Sequence, residues 1–297
     1  MTTRRFIAVL AFLSLCCWAF AQRPYAVPTG AKRVDDVVYA KVGARELHVD
    51  VVMPSDAPAK PRPCVVWVHG GGWSKGTHKA NQAAGLAGKG YVAASVEYRL
   101  SGEAIYPAQI QDCKAAIRFL RAHAKDYGID PNRIGVWGGS AGGHLVALMG
   151  TTGGVKELEG TEGNPKESSR VQAVCDYFGP TNLMASPKWI ATPPQISALL
   201  GGSPKDKPEL ARLASPVKFV DPKDPPFLIV HGEEDRLVPI AQSEGLYEAL
   251  KKAGVPVSFV RVKNAGHGFT GIDIQPTREE INASVLAFFD KELKKGK

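Results

Sequence analysis

Five residues, Gly138-Gly139-Ser140-Ala141-Gly142, constrain this chain more than any others. They join a β-rich run, Arg133-Ile134-Gly135-Val136-Trp137, to a helix-like run, His144-Leu145-Val146-Ala147-Leu148-Met149, with no room for a loop. A strand that turns at once into a helix needs glycine on both sides, because the two backbones pass too closely for Cβ atoms. A serine at the crest of such a turn stands clear of the sheet. The amide that follows it, here from Ala141, points to where a carbonyl oxygen would become negative. An ordinary glycine-rich turn can have the same composition, so the rest of the chain decides its meaning.

The surrounding pattern is one of buried strands alternating with amphipathic helices. Residues 64–69 and 91–96 are continuous apolar runs of the kind buried on both faces of a parallel sheet. Residues 107–127 carry Ile110, Cys113, Ala116, Ile117 and Leu120 at three- and four-residue spacing, which predicts a helix ending near Gly128. Strands follow at 134–137, 171–178, 226–230 and 257–262, with helices after Ser140 and over 240–252 and 277–294. Ahead of them, 37–42 and 46–53 read as a strand pair turning at Gly43-Ala44-Arg45. Alternation of this kind gives a parallel sheet covered by helices on both faces, an α/β domain over residues 22–297. The stretch 179–225 is rich in proline, serine and glycine and reads as a cap or loop insertion over the carboxyl edge of the sheet.

Residues 1–21 read differently. Arg4 and Arg5, the apolar run 6–20 and Ala19-Phe20-Ala21 form the charged, apolar and cleavage regions of a signal peptide, cut after Ala21. The run is shorter than the roughly 20 residues a spanning helix requires, so no stable membrane anchor is expected. Leu15 ahead of Cys16 argues against a lipidated cysteine. The expected destination is secreted or periplasmic. Loss of the leader lowers the formal charge from +8 to +6. Basic residues cluster only in the tail, at Lys291, Lys294, Lys295 and Lys297, and no patch interleaved with aromatics predicts a nucleic-acid partner. Cys64, Cys113 and Cys175 remain, an odd number without C-x-x-C spacing. Cys64 and Cys175 read as small core residues, and one bridge with a thiol left over is the alternative.

Three further motifs supply chemistry. His69-Gly70-Gly71-Gly72-Trp73 follows a buried strand, and its glycines let Gly71 and Gly72 turn their N–H groups inward as oxyanion donors, with Ala141 as a third. No Lys-Ser/Thr follows as a phosphate loop needs, and no dinucleotide fingerprint is present. A serine hydroxyl needs a base to take its proton and an acid to hold that base. His267, between Gly266 and Gly268, is the candidate base. Asp235 is the candidate acid, with Glu233 and Glu234 as rivals; it is preferred because Val238-Pro239 then opens the next helix and leaves it on the loop crest. His69 reads as a brace for its loop, His144 and His231 as structural, and His48, His78 and His123 as surface or satisfied residues. No pair has metal-ligand spacing, so neither a metal nor a cofactor is expected.

Together, His69-Gly70-Gly71-Gly72-Trp73, Tyr98-Arg99-Leu100, Asp130-Pro131-Asn132-Arg133-Ile134, the Ser140 pentapeptide with Gly143, His231-Gly232 with Asp235, and Gly266-His267 resemble the α/β-hydrolase superfamily. The resemblance is to its HGGG-type esterase and lipase branch, and especially to secreted bacterial carboxylesterases of the acetylxylan and feruloyl esterase group. It covers roughly residues 35–295. It implies an eight-stranded, mostly parallel sheet, a Ser140–His267–Asp235 triad and an oxyanion hole from Gly71, Gly72 and Ala141. The function it implies is hydrolysis of short-chain esters, with a small molecule or a polysaccharide ester as substrate. Trp73 and Trp189 are candidate substrate contacts, as faces on which a sugar or phenyl ring would stack. The competing readings are an amide hydrolase of the same fold, arylformamidase-like or a small peptidase, and a non-catalytic binding protein.

Overall fold

The computed structural model describes residues 25–56, 60–184 and 193–294. The predicted leader and Trp189 lie outside them. Eight strands form one sheet: β1 (Ala31–Val42), β2 (Arg45–Pro54), β3 (Arg62–Val68), β4 (Val92–Val96), β5 (Ile129–Gly139), β6 (Ala173–Tyr177), β7 (Phe227–Gly232) and β8 (Val257–Val262). Their order is β1-β2-β4-β3-β5-β6-β7-β8. The β1–β2 and β2–β4 pairs are antiparallel and every other pair is parallel.

Parallel neighbours require crossovers: a 3-10 helix (Gln82–Lys89) joins β3 to β4, and α1 (Ala108–Ala122), α2 (Ala124–Tyr127), α3 (Ala141–Thr151), α4 (Lys156–Glu159), α5 (Pro193–Leu200), α6 (Pro208–Leu213) and α7 (Ala241–Lys252) lie in the later ones, while α8 (Arg278–Leu293) follows the last strand. Side chains alternate along β3. Cys64, Val66 and Val68 join Ile117, Leu120, Leu145 and Leu148 in one core, whereas Val65 and Trp67 join Trp137, Tyr91, Val285 and Phe289 in the other. The continuous apolar runs therefore fill two cores, one on each face of the sheet. Cys64, Cys113 and Cys175 are buried, free thiols. Among the described residues no helix is long and apolar enough to cross a membrane.

Most expected boundaries shift by a residue or two. The first strand pair is longer than 37–42 and 46–53, and the helix expected over 107–127 divides. His123 leaves helical geometry (φ −100°, ψ 22°). Its ring lies 4.3 Å from that of Phe119, and its Nδ1 is 2.9 Å from the Asp126 carboxylate, which starts α2 as a separate turn. The last helix begins where Thr277 and Glu280 form a reciprocal capping box.

The 179–225 stretch holds α5, α6 and a short 3-10 turn, and its described part meets the carboxyl-end loops. Ile196, Leu199 and Leu200 are buried in the main core, and the Tyr106 N–H donates to the Leu199 carbonyl at 2.8 Å.

Helix α3 sits directly on the backbone of β3. A Cβ at Gly142 would lie 2.0 Å from the Val68 carbonyl oxygen and 2.8 Å from that of His69, both fixed backbone atoms. Gly142→Ala is expected to cost more than about 4 kcal/mol, seen as loss of the cooperative thermal transition. Gly85→Ala, where a Cβ would meet nothing within 4 Å, is expected to keep it; equal behaviour of the two variants would contradict the packing argument.

Candidate active site

β5 ends at Gly139 and α3 starts at Ala141, so Ser140 alone makes the turn, at φ 56° and ψ −118°. Such a conformation is strained for a residue with a Cβ. It is held from both sides: the Ser140 N–H donates to the Tyr177 carbonyl at 2.8 Å, and the Ser140 carbonyl accepts the His144 N–H at 2.9 Å. Trp73, Phe178 and Phe269, in the loops after β3, β6 and β8, also have positive φ. Backbone strain thus gathers at the carboxyl edge.

The loops after β7 and β8 bring the other two residues to Ser140. His267 Nε2 lies 2.9 Å from Ser140 Oγ, and its Nδ1 lies 2.7 Å from Asp235 Oδ2. With Nδ1–H donating to the carboxylate, Nε2 is left as the acceptor facing the serine hydroxyl. Asp235 is buried, whereas Glu233 and Glu234 are exposed, which separates the acid from its rivals. Burial works to raise the Asp235 carboxyl, but hydrogen bonds from His231, His267 and the Val238 N–H outweigh it and hold it well below the usual range. Asp235 Oδ1 accepts the Leu237 and Val238 N–H groups at 2.8 Å each. The carboxylate therefore stays charged and fixed in rotation.

His231 has more than a packing role. Its ring is fully buried, with Nε2 2.8 Å from the Val238 carbonyl and 3.3 Å from Asp235 Oδ2, and Nδ1 2.7 Å from Ser243 Oγ. Both groups facing Nε2 are acceptors, so that nitrogen carries the proton and braces the carboxylate opposite His267. In the sequence His231 stands at a strand end in the His231-Gly232 motif, four residues before Asp235, which does not reveal the contact.

The glycine loop rests on the serine turn. A Cβ at Gly70 would stand 2.7 Å from the Gly139 carbonyl and 3.5 Å from Ser140 Cβ. Gly71, Gly72 and Trp73 follow at φ 113°, 60° and 55°, a run of positive φ that the two glycines adopt without a Cβ penalty. The loop's own turn bond, from the Ser74 N–H to the Gly71 carbonyl at 3.2 Å, uses neither the Gly71 nor the Gly72 N–H. Ala141 is the first residue of α3, where an N–H has no acceptor within the helix. Gly71, Gly72 and Ala141 thus remain the candidate donors.

Two buried histidines brace the loop. His69 stacks on Tyr98 at 4.3 Å, the Tyr98 hydroxyl donates to the His69 carbonyl at 3.0 Å, and burial lowers the His69 imidazole to about 4. His144 accepts from the Trp73 indole N–H through Nδ1 at 3.1 Å and donates from Nε2 to the Ala214 carbonyl at 2.7 Å. Burial lowers His144 to about 4 as well, so it bridges these groups as a neutral ring.

This corrects one expectation. Trp73 is 2% exposed and lies edge-on to His144, so it offers no open face to a sugar ring; its indole ties the glycine loop to α3 and to the 179–225 stretch. Its hydrophobic bulk drives it into the core, and its N–H finds a partner there. Of the two readings of His78, surface or satisfied, the structure shows the second: its Nε2 lies 2.9 Å from Asp36 Oδ1. It is buried beside Asp36 and Asp50, and the three offer ligand atoms within 4.8 Å of one another. The Lys79 ammonium, 2.7 Å from Asp36 and 3.0 Å from Asp50, supplies the positive charge there.

Asp176, at the carboxyl end of β6, is fully buried behind the site. Its Oδ1 accepts the Gly179 N–H at 3.0 Å, and its Oδ2 has no partner among the described residues. Burial pushes its carboxyl up to about 6. A raised acid holds its proton longer in the folded than in the unfolded chain, so stability falls as pH rises from about 4 through 6. Asp176→Asn is expected to match the wild-type melting temperature at pH 4 and to exceed it at pH 8, checked by thermal denaturation across pH. An unchanged difference at the two pH values would contradict the assignment.

Comparisons with known proteins identify the family and the fold. The BD-FAE family model matches residues 49–250. Esterase LipQ of Mycobacterium tuberculosis is 34% identical over 80% of this chain, which spans 58% of the relative's length. A truncated carbohydrate esterase from gut microbiota superimposes with a TM-score of 0.81 at 33% identity, over 92% of this chain and all of that one. An acetyl ester-xyloside bifunctional hydrolase from Caldicellulosiruptor lactoaceticus superimposes with a TM-score of 0.69 at 28% identity, over 85% of this chain and 88% of that one. With its mostly parallel eight-stranded sheet, its HGGG loop and a serine at the strand-to-helix turn, the chain belongs to the BD-FAE family of α/β-hydrolase-fold proteins.

Proposed function

We propose that this protein is a serine carboxylesterase that removes short acyl groups such as acetyl, or a feruloyl group, from carbohydrate alcohols through an acyl-enzyme. The observation that carries the reading is the continuous hydrogen-bonded chain from Ser140 Oγ through His267 to Asp235, at 2.9 and 2.7 Å. Ser140 Oγ attacks the ester carbonyl while His267 Nε2 takes its proton. The carbonyl oxygen becomes an oxyanion that accepts N–H bonds from Gly71, Gly72 and Ala141, each such donor contributing roughly 3–4 kcal/mol in the transition state. The protonated imidazole is supported by the Asp235 carboxylate and returns its proton to the leaving alcohol. Water then repeats the sequence on the acyl-enzyme and releases the acid.

The carbohydrate alcohol is supported by the likeness to the gut-microbiota and Caldicellulosiruptor proteins. The leader-like residues 1–21 add export to the reading, which fits a polymeric substrate outside the cell. No metal or cofactor is needed for any step.

The test is hydrolysis of nitrophenyl acetate, butyrate and octanoate, and acetate release from acetylated xylan. Acetate is expected to be favoured over octanoate. Ser140→Ala is expected to lower kcat by about 10⁴-fold or more, and Asp235→Asn by about 10²- to 10⁴-fold, with the melting temperature preserved. Activity that survives Ser140→Ala would overturn the mechanism. Silence on every ester with turnover of an aryl amide would replace esterase by amidase.

A further inference from the structure

The 179–225 stretch brings one polar side chain onto the glycine loop. Gln195, in the first turn of α5, packs its stem over Gly72: its Cγ lies 3.1 Å, and its Cβ 3.6 Å, from where a Gly72 Cβ would stand. The helix that carries it is anchored, since Ile196, Leu199 and Leu200 are buried behind it. Gln195 itself is half-buried, and its carboxamide Oε1 is closed off from water with no hydrogen-bond partner among the described residues. A buried acceptor without a donor is rare in a folded protein, and beside a candidate oxyanion loop it marks a place for a donor from the ligand.

The chemistry of an ester decides which part of the substrate that is. A short acyl chain carries no hydrogen-bond donor, and the carbonyl oxygen only accepts. In an acetyl ester, hydroxyl groups are found on the alcohol side alone. We infer that Gln195 is a substrate-binding residue, accepting a hydrogen bond from a hydroxyl of a polyol or sugar alcohol and thereby favouring hydroxylated leaving groups over plain alkyl ones. The inference rests on the esterase reading and gives the 179–225 stretch a part in specificity.

Glycerol monoacetate and propyl acetate share their acyl group and differ in the alcohol hydroxyls, so the ratio of their kcat/KM values isolates the effect. The wild-type protein is expected to favour glycerol monoacetate, and Gln195→Leu to lower the ratio by about 10- to 100-fold. Gln195→Glu keeps the acceptor and is expected to keep the ratio, whatever it does to both rates. A ratio unchanged in Gln195→Leu overturns the inference, including the case in which both rates fall together as a purely structural role would require. Failure of the underlying reading looks different. No turnover of either ester or of nitrophenyl acetate removes the esterase reading and this inference with it. Silence on acetylated xylan alone, with the glycerol ratio behaving as expected, removes the polysaccharide and leaves Gln195 in place.

Discussion

The close approach of α3 to the backbone of β3 is the constraint on which the rest depends. Gly142 lies so near the Val68 carbonyl that no Cβ fits. The helix can therefore start immediately after the strand, and Ser140 is left to make the turn alone in a left-handed conformation. The same contact fixes the distance between the turn and the loop that leaves β3. Gly70 lies against Gly139 and Ser140 because strand and helix are pressed together below them. A serine that is half-buried, strained and set against the glycine loop is thus a consequence of packing two levels beneath it.

The residues around Ser140 are supplied by separate loops, each tied down by buried polar contacts. Asp235 has its carboxylate filled by two backbone N–H groups on one oxygen and by two imidazoles on the other. The glycine loop is held through Trp73 and His144 to Ala214 in the 179–225 stretch. Neutral imidazoles suit this role, since one nitrogen accepts while the other donates, and burial keeps His69 and His144 neutral at ordinary pH. The residues that hold the loops are thereby chemically distinct from His267, which is partly open to solvent at 23% side-chain exposure.

Much of the fold was legible in the sequence because fully buried parallel strands leave continuous apolar runs, and the motif residues sit at their carboxyl ends. The Ser140 turn could be read from spacing alone, and Asp235 from its place on a crest ahead of Val238-Pro239. The contacts that join distant loops could not. An indole after three glycines looks the same whether it faces a ligand or the core, and the partner its N–H finds in the core, His144, lies 71 residues away in the chain. The buried position of His78 depends on Asp36 and Asp50, which only the β1–β2 pairing brings together. The break at His123 is local, yet it follows from a side-chain contact with Asp126 that helix periodicity does not encode. Gln195 carried no sequence signal, since its meaning comes from the loop it covers.

The proposed chemistry requires Ser140 to be a nucleophile made reactive by His267 in the folded protein. The most direct measurement is peptide mapping by mass spectrometry after treatment with a fluorophosphonate. One covalent adduct is expected, on the peptide that contains Ser140, formed quickly by the native chain, far more slowly by His267→Ala and not by the denatured chain. A native protein that stays unlabelled, or that is labelled at another serine, would contradict it.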